Sequence, residues 1–350
     1  MNPSGVMPAP ISGTVQLPTV QIHPSLWCNL RCRHCYSSSG PDTRAQLDAT
    51  TIRDTLTDAA AMGYRVAAVS GGEPLMYQDL RRVLEHAKTV GLRTSVTTNG
   101  SLLDQRRLDG LKDVVDVLAI SLDGPEELHN EMRRSPRAFA RLAANLERVR
   151  RSGIRFGFIH TLTRASWEYL PWLAAFAVDS GAGLLQVHPL ELAGRAEQDM
   201  RGLGLDLDTL RQAFLLAFVL GASYQDWLTI QLDLLHRDHL LDNPELVYAA
   251  TGAVDGPPGH LLSVLVLEPD GSLVPVSYGI SHDLLICNVK RERFADAWER
   301  YRLDGYLRFR RLCAEVFEDL CAPGGPDLFN WHEAIVSRSN AACRLHVLTT

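Results

Sequence analysis

The sequence predicts an α/β protein, a partial (β/α)6 TIM-like barrel over residues 20–240 followed by a smaller α+β domain over 241–350. Three observations predict it. Apolar runs of strand length recur, each followed by a helix-like stretch, six times in the first two thirds of the chain. Runs such as Val66-Ala67-Ala68-Val69 and Val117-Leu118-Ala119-Ile120 are apolar throughout, as parallel strands covered on both faces require. After about residue 240 the rhythm changes to turns, one hairpin and two helices.

In chain order, residues 1–19 read as a loose arm rich in Pro, Ser and Gly. Strands are expected near 20–27, 64–70, 92–98, 115–122, 154–162 and 184–190, and helices near 50–62, 78–90, 104–112, 138–152 and 167–180. Thr50 and Thr51 offer an N-cap to the first helix, and Gly63, Gly91 and Gly153 offer to close three of them. Asp238 to Gly259 is turn-rich and marks the expected boundary. Leu261–Leu267 and Leu273–Val276 flank a Glu268-Pro269-Asp270-Gly271 turn and read as a hairpin. Arg293–Tyr301 and Tyr306–Glu318 read as helices.

Composition narrows the function. A net charge of −6 argues against broad attraction to nucleic acid or anionic membranes. The N-terminus lacks a basic segment and a continuous apolar core, so no secretory signal is expected. The longest apolar run, Ala213 to Ala222, is too short to span a bilayer. A cytoplasmic location is the expectation. Seven cysteines, three of them within eight residues, do not form a secreted disulfide framework.

Those three lie in Cys28-Asn29-Leu30-Arg31-Cys32-Arg33-His34-Cys35, a CxxxCxxC loop after the first strand. Three thiolates can bind three irons of a 4Fe–4S cubane and leave the fourth iron open, where full ligation uses four cysteines. A structural zinc site completed by His34 or a distant residue, a redox-active thiol loop and plain buried cysteines are the competing readings. Further polar or glycine-rich stretches, Gly71–Pro74, Thr97–Gly100, Ser121–Gly124 and His188–Arg195, also follow strands. Loops at the carboxyl ends of parallel strands gather on one rim, so a single large site is expected there.

In these residues the chain resembles the radical SAM superfamily, over about residues 20 to 240. The cluster motif is Cys28, Cys32 and Cys35, and Gly71-Gly72-Glu73-Pro74 is similar to the family's GGE-type turn. The resemblance implies a 4Fe–4S cluster on the three cysteines. It also implies reductive cleavage of S-adenosylmethionine to methionine and a 5′-deoxyadenosyl radical that removes hydrogen from substrate. By the same resemblance the cofactor contacts are His34, Gly71, Gly72, Glu73, Pro74, Asn99, Ser121, Asp123, Arg133 and His188. Glu73 is expected to meet the methionyl ammonium, Ser121 and Asp123 the ribose or carboxylate, Arg133 the carboxylate, and His188 the adenine side. For Arg133 and Arg134 a solvated helix start is the plain alternative, and for His188 a satisfied core histidine.

Residues 241–350 resemble a SPASM/Twitch extension, which in relatives binds auxiliary 4Fe–4S clusters. Val276 and Pro326 stand where relatives have cysteine, so two auxiliary clusters are not expected. Cys287, Cys313, Cys321 and Cys343 are left as buried or free thiols, one further cluster, or a catalytic thiol. Cys287 is the candidate hydrogen-atom donor, and Glu191 the candidate acid or base at the rim. The resemblance implies modification of a ribosomally made peptide by crosslinking or epimerisation, with transformation of a sugar or nucleoside in natural-product biosynthesis as the alternative. A reductant such as flavodoxin or ferredoxin is implied. No leader-binding domain is expected in the arm, which leaves that task to a separate protein. A reading of another class is a non-catalytic iron–sulfur sensor or scaffold.

Overall fold

The computed structural model describes residues 17–250 and 255–349, with side chains as far as residue 341. Most of the expected arm and the Cys343 side chain lie outside the described residues.

Seven parallel strands run in chain order across one sheet: β1 (Thr19–Ile22), β2 (Val66–Val69), β3 (Arg93–Thr98), β4 (Val117–Ser121), β5 (Arg155–Leu162), β6 (Leu184–Pro189) and β7 (Thr229–Leu232). Helices α1 (Ala49–Ala61), α2 (Leu80–Thr89), α3 (Gln105–Leu111), α4 (Glu126–Met132), α5 (Ala138–Ser152) and α6 (Leu170–Ser180) cover its outer face. Val20, Ile22, Ala67, Val69, Val96, Leu118, Ile120, Phe158, Leu185 and Val187 form the sheet's share of the core. The register aligns Val20 with Ala67, Val69 with Val96 and Val96 with Leu118. Each apolar run therefore lies against its neighbour with no strand slipped.

The first helix is capped differently from the expectation. Asp48, not Thr50 or Thr51, accepts from the Thr51 main-chain N–H. A carboxylate one residue upstream of the helix satisfies the free N–H groups better than a hydroxyl already inside it.

The sheet does not end with the repeated units. A seventh parallel strand follows the helix Leu207–Tyr224, and β8 (Leu235–His236) leaves it directly. The hairpin of β9 (Val264–Leu267) and β10 (Ser272–Pro275) lies at the other edge, where β9 pairs in parallel with β1, Thr19 beside Val264. β11 (Cys287–Asn288) adds a last antiparallel strand. The result is one open ten-stranded sheet with β11 and β7 at its edges, so the barrel is not closed. The helices Phe294–Leu303 and Gly305–Cys321 fall where the sequence placed them. β12 (Leu328–Phe329) pairs antiparallel with β8, Phe329 beside Leu235, and delivers the helix Trp331–Thr349 to the rim above β7. Among the described residues no helix is long and apolar enough to cross a membrane.

Candidate active site

Because β1 to β6 run parallel, their carboxyl ends share one rim, and every expected site residue up to His188 lies on it. A hollow of 450 Å³ lined by Lys112, Asp113 and Arg155 lies at the opposite, amino end of β4 and β5, away from these residues.

The cysteine loop leaves β1 through a pinched neck. Cys28 donates its N–H to Gly40 O at 3.2 Å and Gly40 donates to Leu26 O at 3.2 Å. Cys28 and Cys32 are buried and Cys35 is half-buried. Burial pushes the Cys28 thiol up to about 12, and the neighbouring Glu73, Cys32 and Cys35 charges push the same way. Cys32 is raised by burial, against the pull of Arg133, with Asp123 and Cys35 adding to the rise. Cys28 thus feels the charges of Cys32 and Cys35, and Cys32 that of Cys35. They are not drawn together as single-ion ligands are: Glu268, Asp270 and His282 on the C-terminal hairpin gather within 4.8 Å, and the three thiols do not. A tetrahedral zinc with bonds of about 2.3 Å would hold thiolates about 3.8 Å apart. With two of them buried and all three spaced more widely than ligands of a single ion, they suit a multi-iron cluster, whose positive irons would favour the thiolates.

The Gly71-Gly72 turn packs on the neck of this loop. A Cβ on Gly72 would run into the Trp27 carbonyl, and one on Gly71 would stand 2.7 Å from Ser25 O. Gly72 and Glu73 donate their N–H groups to Ser25 O and Trp27 O. Pro74 then opens a single 3-10 turn. Glu73 is buried, and its carboxylate accepts from Thr98 Oγ1 at 2.8 Å, Asn99 N at 2.9 Å and Leu75 N at 3.1 Å. Burial raises its pKa against these three bonds. Most of its acceptor positions are taken by the protein, which leaves one lone pair for the ammonium expected there. Asn99 donates to Asn29 Oδ1 at 2.9 Å, and Asn29 donates to Ser101 Oγ at 2.8 Å, so the cysteine loop and β3 are tied side by side.

Beneath Cys32 lies a charged knot. Asp123 accepts from Arg133 Nε at 2.6 Å and Nη2 at 3.1 Å, and its Oδ1 lies 3.0 Å from His34 Nε2. Burial alone would raise the Asp123 carboxyl, yet Arg133 and His34 hold it well below the usual range. Arg133 also donates to Cys32 Sγ at 3.7 Å. It is buried, which excludes the solvated helix start, whereas Arg134 is half-exposed and pairs with Asp199. His129, a residue to which the sequence assigned no role, accepts from Asp123 N at 3.2 Å and is held neutral by burial, its pKa lowered to about 4. Ser121 ends β4 beside Ile159.

At the end of β6, His188 pairs through Nδ1 with Asp233, which closes β7. Burial lowers the His188 pKa, and Asp233 more than offsets it, so the net shift is upward. The side chain is nevertheless 44% exposed, so it is no satisfied core histidine. Glu191 is raised by burial, His188 opposes and Glu333 adds to the rise, so the helix Trp331–Thr349 brings a second carboxylate beside it.

The structure does not bring Cys287 to this site, which removes the ground for a hydrogen-atom donor there. It is buried on β11 in the main core, and the charges that act on it are Glu292, Arg300 and Asp58, the last from α1. Cys313 is buried in the helix Gly305–Cys321 beside Arg310, and Cys321 ends that helix near Arg237.

Residues 22–177 match the model of the radical SAM superfamily. The chain carries a radical SAM domain. Fe-coproporphyrin III synthase of Methanosarcina barkeri is 29% identical over 188 residues, 53% of this chain and 47% of that one. PqqA peptide cyclase of Xanthomonas campestris is 26% identical over 294 residues, 81% of this chain and 73% of its own. SuiB of Streptococcus suis, bound to S-adenosylmethionine, has the same fold, with a TM-score of 0.64 at 18% identity over 85% of this chain and 68% of that one. The chain spans about half the length of the first curated relatives it matches.

Proposed function

We propose that this radical SAM domain uses one 4Fe–4S cluster on Cys28, Cys32 and Cys35 to cleave S-adenosylmethionine and modify a peptide. The observation that carries it is the gathering of three cysteines, two of them buried, on one short loop whose neck packs against the Gly71-Gly72 turn. Bound there, the cluster and S-adenosylmethionine would supply a 5′-deoxyadenosyl radical able to take hydrogen from an unreactive C–H bond.

The chain's own part is to hold, orient and shield. Arg133, fixed by Asp123, places a positive charge against Cys32. The Glu73 carboxylate fixes Asn99 and keeps one lone pair for the cofactor's ammonium. Ser121, Asp123, His34 and His188 are the remaining proposed cofactor neighbours. At the rim, His188 spends Nδ1 on Asp233 and so leaves Nε2 for a ligand, and the Glu191 carboxyl, raised by burial, can give or take a proton. Residues 241–350 act as a SPASM/Twitch-like cover without auxiliary clusters, since Cys287, Cys313 and Cys321 stand on different elements in different surroundings. A flavodoxin or ferredoxin would supply the electron, and a separate protein would bind a leader peptide.

The peptide reading is supported by coverage. The relative named as a peptide cyclase aligns with 81% of the chain, including much of its C-terminal third, and the relatives named as heme synthases with about half. Those heme-named relatives favour a second reading, in which the substrate is a small molecule. The test is anaerobic reconstitution followed by dithionite and S-adenosylmethionine. Formation of 5′-deoxyadenosine is expected, and a full cluster that yields none would favour a scaffold instead.

A further inference from the structure

The cysteine loop is gripped from outside by the last residue of the His188–Arg195 stretch, to which the sequence gave no role of its own. Arg195, on the return from β6, donates from Nη1 to Cys32 O at 2.9 Å and from Nη2 to Ser39 O at 2.6 Å. Its main-chain N–H donates to Cys35 O at 3.0 Å. One residue thus binds the second ligand, the third ligand and the exit of the loop. Gly194 makes the approach possible. Its φ is +57°, and a Cβ there would run into the Tyr36 carbonyl. From Ser39 the contact continues through Ser37 Oγ at 2.8 Å to Cys35 Sγ at 3.5 Å.

The two arginines at this loop differ in one respect. Arg133 is ion-paired with Asp123. Among the described residues no carboxylate pairs with Arg195, and the partners shown for it are main-chain oxygens of the loop. Its positive charge therefore has no carboxylate partner among the described residues and lies against the backbone of the loop that carries the three cysteines.

We propose that Arg195 is a positioning residue with an electrostatic effect: its fork sets the geometry of Cys32 and Cys35, and its charge raises the reduction potential of a cluster held there. The inference rests on reading these cysteines as cluster ligands. A cation near an iron–sulfur centre favours the reduced form, which carries one more negative charge, and so makes the centre easier to reduce. Planar bidentate donation to two carbonyls is a task for arginine; lysine keeps the charge but not the fork.

The test compares R195M, which loses both properties, with R195K, which keeps the charge, in the full chain. In the metal-free protein, iodoacetamide labelling of Cys32 and Cys35 is followed by mass spectrometry. R195M is expected to label about tenfold faster or more, the equivalent of one lost hydrogen bond from a charged donor. R195K should label between the two. In the anaerobically reconstituted protein, a redox titration followed by EPR should place R195M at a more negative potential than wild type, with R195K returning towards wild type. An unchanged potential in R195M overturns the electrostatic effect, and unchanged labelling overturns the positioning role. A wild-type chain that takes up no iron defeats the cluster reading itself, and the labelling comparison still decides whether the fork holds the loop.

Discussion

Cys28, Cys32 and Cys35 share a residue type with Cys287 and Cys313, yet the two regions hold their sulfurs in opposite ways. Around the first three, polar groups crowd in. Leu30 N–H points at Cys28 Sγ, Arg133 at Cys32 Sγ and Ser37 lies against Cys35 Sγ. Cys28 also feels the charges of Cys32 and Cys35, and Cys32 that of Cys35. Around the C-terminal pair, burial is the main influence and the sulfurs pack with Phe294, Trp298, Tyr306 and Phe309 in one apolar core. Burial alone therefore does not mark a metal site. What distinguishes the loop is burial together with donors aimed at sulfur, which favour the thiolate form that a metal binds.

The comparison can be broken most severely at Gly72. G72A would force the turn away from Trp27 O, one residue before the first cysteine. The expected result is loss of most of the bound iron and destabilisation of about 3 kcal/mol from overpacking a rigid backbone contact. Iron analysis and thermal melting check it; wild-type iron content in G72A would mean that the turn does not place the loop.

Asp123 sharpens the contrast next. D123N leaves the buried Arg133 without a counter-charge, a change worth about 3–5 kcal/mol in buried pairs. The pH dependence has a definite sign. The folded pKa of Asp123 lies well below the ordinary aspartate value of 3.8, so its contribution is complete above that value and is lost as pH falls through the folded pKa. Urea melts of wild type and D123N should converge in acid and separate towards neutrality. A constant gap across that range would count against the pair.

The smallest effect is expected at Cys287. C287A should keep its iron and its yield of 5′-deoxyadenosine and lose about 1 kcal/mol of stability, the cost of a small cavity in a packed core. Altered product with intact cleavage would restore Cys287 as a hydrogen-atom donor.

Much of this was legible in sequence, for reasons that can be named. The strands β1 to β6 announce themselves because strands buried on both faces need continuous apolar runs. β7 did not, since Thr-Ile-Gln-Leu alternates over only four residues and its helix Leu207–Tyr224 read as one apolar run. The hairpin was visible locally, but its parallel docking of Val264 beside Thr19 joins residues far apart in sequence, which no local pattern encodes. At the site, the cysteines and the Gly71–Pro74 turn carry spacing signals. Arg195 carries none, because it binds main-chain oxygens, which every sequence has. The saturation of Glu73 was equally hidden, as its partners Thr98 and Asn99 come from the next strand.

The most direct measurement is iron and acid-labile sulfide per chain, after anaerobic reconstitution, in C28A/C32A/C35A beside C287A/C313A/C321A. The account predicts a colourless first variant and a brown second one with about four irons, the content of one cubane. A first variant that still carries a cluster, or a second that loses it, would contradict the assignment of the metal to the loop after β1.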